Sequence, residues 1–472
     1  MPRLPELAAA GMLLAATVMT ASHAATPAAD EAAFRSLFRE LIEINTTRSV
    51  GSCTEAAKAM RARLLAAGYA DPDLSLLTPA DEPRAGALLA ELHGRDPALK
   101  PILLLAHLDV VEAKREDWTR DPFRLVEEGG FFYGRGTADD KAMAAVITDT
   151  MIRMKQSGKA PKRGLKLALT CAEETADWYN TVEHLTATRP EVLAAEFALN
   201  EGGEGELDAN GRHVTLGIQA GEKVYQDFIL EVTDPGGHSS RPTRENALVR
   251  LSRAVVRVGE YQFPVALNEV TRGYFTAEAR LVAPDVAADM RALLANEQDA
   301  AAAARLWSAD PAWNGRMRTT CVPTMSNGGH APNALPQRAQ ANVNCRILPG
   351  VPIDAVRAEL VRVIGDDRVS VRPTGTPGMQ APVPPLTPRI MRPITDVAAK
   401  LWPGVAVVPS MSTGATDGRF LNAAGIPTYG LTGLFHDAEG SHMHGLNERV
   451  RVQALLDSRQ FLYELIVRLS SE

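Results

Sequence analysis

Short, predominantly apolar runs that stop at a histidine or a carboxylate constrain this chain most. Pro101–His107 reads Pro-Ile-Leu-Leu-Leu-Ala-His, Gly164–Cys171 leads into Ala172-Glu173-Glu174, and Phe197–Asn200 leads into Glu201. Apolar runs of this length fit strands buried on both faces. Ala87–Leu92 is a further strand of the same kind, and a helix is expected from Lys141 to about Lys155. Strands alternating with helices predict an α/β layer architecture around a largely parallel sheet.

The chain has 472 residues, more than one ordinary core accommodates, so two domains are expected. From Asp30 to about Gly68, Phe34, Leu37, Phe38, Leu41 and Ile42 recur at helical spacing. Near Glu222 the texture changes to α+β. A half-buried strand Tyr225–Thr233 precedes a glycine-rich loop and a helix Asn246–Val258. Strands near Arg318–Met325 and Gln340–Ile347 flank the turn Asn333–Pro336, and the alanine-rich Ala287–Leu306 reads as one inserted helix. Proline-rich Pro373–Pro388 marks the return, and Val405–Glu472 resumes the α/β pattern. The expected organisation is a catalytic unit over 25–221 and 376–472, interrupted by an inserted lid or dimerisation unit over 222–375.

Residues 1–24 read as a cleaved secretory signal. Arg3 is the basic start, Leu7–Met19 the apolar run, and Ser22-His23-Ala24 the small-residue cleavage site. The run is short against the roughly 20 residues a membrane span requires. A secreted or periplasmic location is therefore expected. The net charge of −7, without a basic run, argues against a nucleic-acid partner. The four cysteines, Cys53, Cys171, Cys321 and Cys345, have no C-x-x-C spacing, which argues against a thiolate zinc site. Export would permit disulfides. If the strands around Asn333 pair as a hairpin, Cys321 and Cys345 face each other.

The chemistry-bearing residues cluster at strand ends. Asp109 follows His107 by two residues and points to the same side in extended backbone, as suits a carboxylate that orients a metal-binding imidazole. Gly134–Lys141 places Asp139 and Asp140 at a strand-to-helix turn. A carboxylate there can bridge two cations, or simply cap the helix. Glu173 and Glu174 repel each other at the end of a buried strand unless a metal or a proton absorbs the charge. One can ligate while the other serves as general base. Glu201 follows another strand, and His442 and His444 come late in the chain. Two imidazoles and three carboxylates beside a candidate base suit zinc, with Co²⁺ or Mn²⁺ as substitutes.

The order H-x-D, G-R-G-x-x-D-D-K, E-E, N-E-G-G, G-G-H-S-S, N-A-L-P, R-x-x-P and H-G-x-N-E resembles the M20 metallopeptidases over nearly the whole mature chain. That resemblance implies a three-layer catalytic domain with a mainly parallel sheet, an inserted α+β lid and two zinc ions per subunit. It makes Asp139 the bridging ligand. His107 and Glu201 complete one site, and Glu174 and His444 the other. His444 is preferred to His442 because it fits the motif register. Glu173 resembles the general base and Asp109 the carboxylate behind His107. The resemblance also implies a cis peptide after Asp139.

His238 resembles the oxyanion-stabilising histidine, usually supplied by the partner subunit's lid, which implies a homodimer. Asn333 and Arg346 resemble the residues that hold a substrate carboxylate, and Thr413, Thr416 and Arg419 a loop beside it. Ala172 stands where many relatives have Asp, and the stretch 222–375 is longer than a minimal lid. The implied activity is hydrolysis of a peptide or N-acyl amide bond beside a free carboxylate, of carboxypeptidase or dipeptidase type. The alternatives are an N-acyl-amino-acid deacylase and a non-catalytic peptide-binding relative.

Overall fold

A computed structural model describes residues 27–175, 178–375 and 378–472. The expected signal segment lies outside the described residues. No helix among them is long and apolar enough to cross a membrane.

The centre of the larger unit is a ten-stranded sheet. Its middle strands, Leu165–Thr170, Ile102–His107, Phe197–Asn200 and Thr428–Gly430, run parallel side by side. Antiparallel pairs occur where Leu74–Leu77 and Ala87–Leu92 join one side, and where His213–Glu222 joins the other. The apolar run Leu103–Ala106 feeds two cores by alternation. Leu104 and Ala106 join the helices Pro27–Glu43, Cys53–Ala66, Lys141–Gln156 and Val452–Ser471 on one face. Leu103 and Leu105 join Val182, Leu185, Leu193 and Leu421 on the other. Alternate side chains of a strand point to opposite faces, so an unbroken apolar run is what a sheet covered on both sides requires. The result is the expected three-layer α/β fold.

The smaller unit is a four-stranded antiparallel sheet, in the order Thr320–Gly328, Arg338–Ile347, Val224–Thr233, Ser370–Thr374. Helices Ala247–Glu260 and Ile353–Ile364 cover one face and share its apolar core. Asn246 caps the first of them, its side chain accepting from Val249 N at 3.1 Å.

Two features differ from the sequence reading. The stretch taken as one inserted helix over Ala287–Leu306 is part of a four-helix insertion: Glu269–Glu278, Pro284–Ala295, Ala300–Ala309 and Pro311–Met317. Each break carries a local start signal. Asn268 forms a capping box with Thr271, Pro284 and Pro311 open their helices, and Asp299 and Asp310 cap theirs. The insertion packs on the strand Ala406–Ser412 of the large sheet, with Val408 in its apolar core. The second difference is the hairpin Gly205–Leu207 with His213–Glu222, which widens the sheet beyond the parallel centre and pairs with Ala406–Ser412.

Both cysteine pairs are bridged. Cys321 and Cys345 are direct cross-strand partners and form a disulfide, as a hairpin around Asn333 requires. Cys53 and Cys171 join the first turn of a helix to the end of the strand preceding Glu173. Their sequence separations are 24 and 118 residues respectively. The loss of chain entropy in the unfolded state grows with loop length, by about 3 kcal/mol for the shorter loop and about 5 for the longer. Replacing Cys53 and Cys171 with alanine should therefore lower the denaturant midpoint more than replacing Cys321 and Cys345. Equal midpoints would remove the loop-length explanation.

Candidate metal centre and its cleft

Parallel strands end on one edge of the sheet, and ligands of such sheets collect there. His107 is the last residue of its strand, Glu201 follows Asn200, and Glu173 and Glu174 follow the strand ending at Thr170. These three strands are neighbours, so their termini lie about one strand spacing, roughly 5 Å, apart. Two loops complete the edge: Gly134–Asp140, before the helix Lys141–Gln156, and Ser441–Glu448.

These elements bring together two groups that share one residue. His107, Asp139 and Glu201 form the first and Asp139, Glu174 and His444 the second, with the candidate ligand atoms of each within 4.8 Å of one another. His107 Nε2 lies 3.1 Å from Asp139 Oδ1 and 3.6 Å from Glu201 Oε2. His444 Nε2 lies 3.0 Å from Asp139 Oδ2 and 3.0 Å from Glu174 Oε2. Asp139 thus presents one oxygen to each group. His442 is exposed and in neither. The Asp139–Asp140 peptide is cis.

The electrostatics favour a bound positive charge. Burial opposes charge on His107, yet Glu201 and Asp139 outweigh it and push the imidazole well above its ordinary range. Hydrogen bonds to Asp139 and Glu174 raise His444 to about 10. Burial raises Glu201 to about 7. Without a metal, the imidazoles take up protons to balance the carboxylates. A pair of divalent cations would supply that charge directly, and the His-plus-carboxylate donor set fits borderline and hard ions. Glu173 sits among these groups, and burial, followed by the Glu201 charge, pushes its carboxyl well above the usual range.

The residues behind the two groups differ partly from the expectation. His107 Nδ1 donates to the backbone carbonyl of Asp109 at 3.0 Å, and the Asp109 carboxylate is 3.7 Å away. That carboxylate instead accepts from the backbone amides of Glu173 at 3.3 Å and Glu174 at 3.0 Å. Asp109 therefore fixes both sides of the centre. Ala172 adopts a left-handed φ of 69°, a backbone state that alanine seldom takes and that clusters at functional sites.

Two acidic residues escaped the sequence reading. Glu448, fully buried, accepts from Ala138 N at 2.8 Å, Asp139 N at 3.1 Å, Gly136 N at 3.0 Å and Arg135 Nη1 at 2.7 Å. It holds the loop that carries the shared carboxylate. It stood in the H-G-x-N-E motif, where only the histidine drew attention. Asp417 is buried beside Glu173, accepts from Asn180 Nδ2 at 2.6 Å, and is raised to about 6 by burial.

A cleft of about 540 Å³ opens over the centre, lined by Asp139, Glu201, Ser412 and Thr413 among others. Arg346, half-buried, reaches its rim, with Nη1 donating to Thr413 O at 3.4 Å and the guanidinium 4.7 Å above the Tyr225 ring. Thr416 is turned away from this role. Its backbone N donates to Glu222 Oε2 at 2.6 Å, and its hydroxyl is bound by Glu222 and by Asn200. Arg419 stacks on Phe420 at 4.5 Å and does not line the cleft. His238 and Asn333 are exposed on the smaller unit, linked by Ser239 N donating to Asn333 O, and neither lines the cleft of this chain.

Fold and site together define a metallohydrolase of the α/β type with an inserted lid. The model of the peptidase family M20/M25/M40 matches residues 103–468, and the chain belongs to that family, whose members are metal-dependent, typically with two ions. It is 29% identical over 386 residues to the N-fatty-acyl-amino acid synthase/hydrolase PM20D1 of Mus musculus, covering 80% of this chain and 76% of that one. It is 29% identical over 391 residues to a probable carboxypeptidase S-like protein of Dictyostelium discoideum, covering 80% and 74%. An M20 family metallo-carboxypeptidase from Sulfolobus solfataricus shares the fold, with a TM-score of 0.67 at 18% identity over 93% of this chain and 99% of that one.

Glu222 generates a prediction for pH and stability. Burial raises its carboxyl to about 7 despite the Thr416 hydrogen bonds. A carboxyl raised on folding binds its proton more tightly in the native state, so its contribution is complete below pH 4.5 and is lost as pH rises through about 7. Glu222→Gln should flatten the fall in stability across that window, by on the order of 3 kcal/mol. An unchanged pH profile of Tm would refute the burial account.

Proposed function

We propose that the protein is a secreted two-zinc hydrolase that cleaves a peptide or N-acyl amide bond next to a free C-terminal carboxylate. The observation that carries this reading is the Asp139 carboxylate, which offers one oxygen to each of two His-and-carboxylate groups. His107, Asp139 and Glu201 would hold one zinc, and Asp139, Glu174 and His444 the other. The pair would supply Lewis acidity at the scissile carbonyl and lower the pKa of a nearby water.

The protein's own groups do the rest. Glu173, held by the Asp109 hydrogen bond to its amide, takes a proton from the attacking water and returns it to the leaving amine. Its buried, acid-rich surroundings raise its affinity for that proton, as the second transfer needs. Arg346, at the Thr413 rim, would bind the terminal carboxylate, for which a guanidinium suits bidentate capture. Asn333 would assist it, and His238 would stabilise the oxyanion. Because His238 and Asn333 lie outside the cleft of this chain, a second copy would supply them through its lid. The edge strand Thr320–Gly328, with exposed Val322 and Met325, and the helix Ala247–Glu260, with exposed Val256, support such a dimer. The N-terminal signal pattern and the two disulfides support export.

Glu173→Gln should retain both zinc ions and lose nearly all turnover, whereas Asp139→Ala should lose both ions. Metal analysis alongside a leucine-release assay checks this, and wild-type kcat in Glu173→Gln would end the base assignment. Arg346→Ala should raise KM for substrates with a free carboxylate, by on the order of 1.5–3 kcal/mol of lost charged contact, and leave their C-terminal amides unaffected. Equal losses on acid and amide would remove Arg346 from the carboxylate site.

A further inference from the structure

The cleft is lined by residues well beyond those that an amide bond and its flanking carboxylate would touch. Val408, Ser410 and Ser412 line it along the strand Ala406–Ser412, which runs parallel to His213–Glu222 in a defined register. Ser412 pairs with Glu222 at the Thr413 and Arg346 end. Ser410 pairs with Gln219, and Gln219 is also opposite Gly430, itself opposite Asn200. Asn200 therefore lies level with Ser410, and Glu201 one residue nearer Val408. Beyond it, Val408 faces Gly217 and Ala406 faces Thr215. Two to four extended residues from Ser410 cover roughly 7–13 Å. A substrate anchored by its carboxylate at Arg346 and cut at the centre must send its acyl side into this far end.

The walls of the far end are polar and in part unpaired. The four-helix insertion contributes Tyr274, Glu278 and Arg316, and the sheet hairpin contributes Glu204 and Glu206. Glu204 is 3.3 Å from His436 Nε2, and Asp437 is held by Arg449 and Arg451. Glu206, Glu278 and Arg316 have no ion pair or side-chain hydrogen bond among the described residues. Arg316 lies 4.6 Å from the centroid of the Tyr274 ring with its Nε buried and unsatisfied. Burial and the neighbouring Glu206 raise the Glu278 carboxyl, and the Arg316 charge offsets them in part, so a further cation arriving between the two acids would be stabilised. An alkyl chain would instead strip water from three charged groups and return no hydrogen bond, which is costly.

Resting on the hydrolase reading above, we infer that the acyl side of this cleft takes a short peptide with a free amino terminus rather than a long-chain fatty acyl group. Glu206 and Glu278 receive the ammonium one to two residues before the scissile bond. Arg316 donates to a peptide carbonyl on the way. The insertion Glu269–Met317 is thereby a specificity wall supplied within the same chain.

Four substrates that release leucine test this on the zinc-loaded full chain: Ala-Ala-Leu, its N-acetylated form, N-acetyl-leucine and N-dodecanoyl-leucine. The free tripeptide should exceed both its acetylated form and N-dodecanoyl-leucine by about tenfold or more in kcat/KM, the size expected for a charged contact. Glu206→Gln combined with Glu278→Gln should cost the free tripeptide about tenfold, carried by KM. The same variant should hydrolyse N-acetyl-leucine, which does not reach the far end, at the wild-type rate. The inference is overturned if N-dodecanoyl-leucine matches the free tripeptide, or if the double variant slows N-acetyl-leucine equally. Release of leucine from none of the four would overturn the hydrolase reading and this inference together.

Discussion

The site depends on one carboxylate that two positive groups must share. Asp139 lies within 3.1 Å of both His107 and His444, and these hydrogen bonds hold its carboxyl well below the ordinary range despite burial. Glu448 secures it from behind, accepting from the backbone of Ala138 and Asp139 and from Arg135. The surplus of buried acids at this sheet edge would be intolerable without counter-charge. The protein places that surplus where rigid strand ends prevent the carboxylates from moving apart, so their repulsion is available for binding cations.

The order of packing explains why the centre is formed from distant parts of the chain. Parallel strands Ile102–His107, Leu165–Thr170 and Phe197–Asn200 align their ends because the apolar residues within them fill two cores at once. A one-residue slip in any strand would exchange its two faces and carry its terminal acid or imidazole away from the edge. The disulfide Cys53–Cys171 adds a covalent hold immediately before Ala172, whose left-handed backbone turns Glu173 and Glu174 into the site.

Much of this was legible in the sequence because it is local. Apolar runs of strand length, with His107, Glu174 and Glu201 just beyond them, required no tertiary information, and cysteines at equal distances from Asn333 anticipated a cross-strand bridge. Interactions that close across the chain were less visible. Asp109 looked like the partner of the His107 ring because the two are close in sequence, but its carboxylate is bound by amides 64 and 65 residues away. Thr416 lay in a hydroxyl-rich loop, yet Glu222, 194 residues earlier, takes its hydroxyl and amide. An acid's partner cannot be read from spacing when the fold offers nearer donors.

The insertion Glu269–Met317 makes the same point at larger scale. An alanine-rich segment of low polarity reads as one helix by composition, while the cap at Asp299 divides it and caps at Asn268 and Asp310 start further helices on either side. Division changes what the segment can do. A single long helix presents one stripe of residues to one surface. Four short helices around Phe275, Met290 and Leu306 form a small core of their own, and can turn Tyr274, Glu278 and Arg316 together toward the cleft. Because the insertion rests on Val408 of the large sheet, its charged wall is fixed relative to the strand end that holds Glu201.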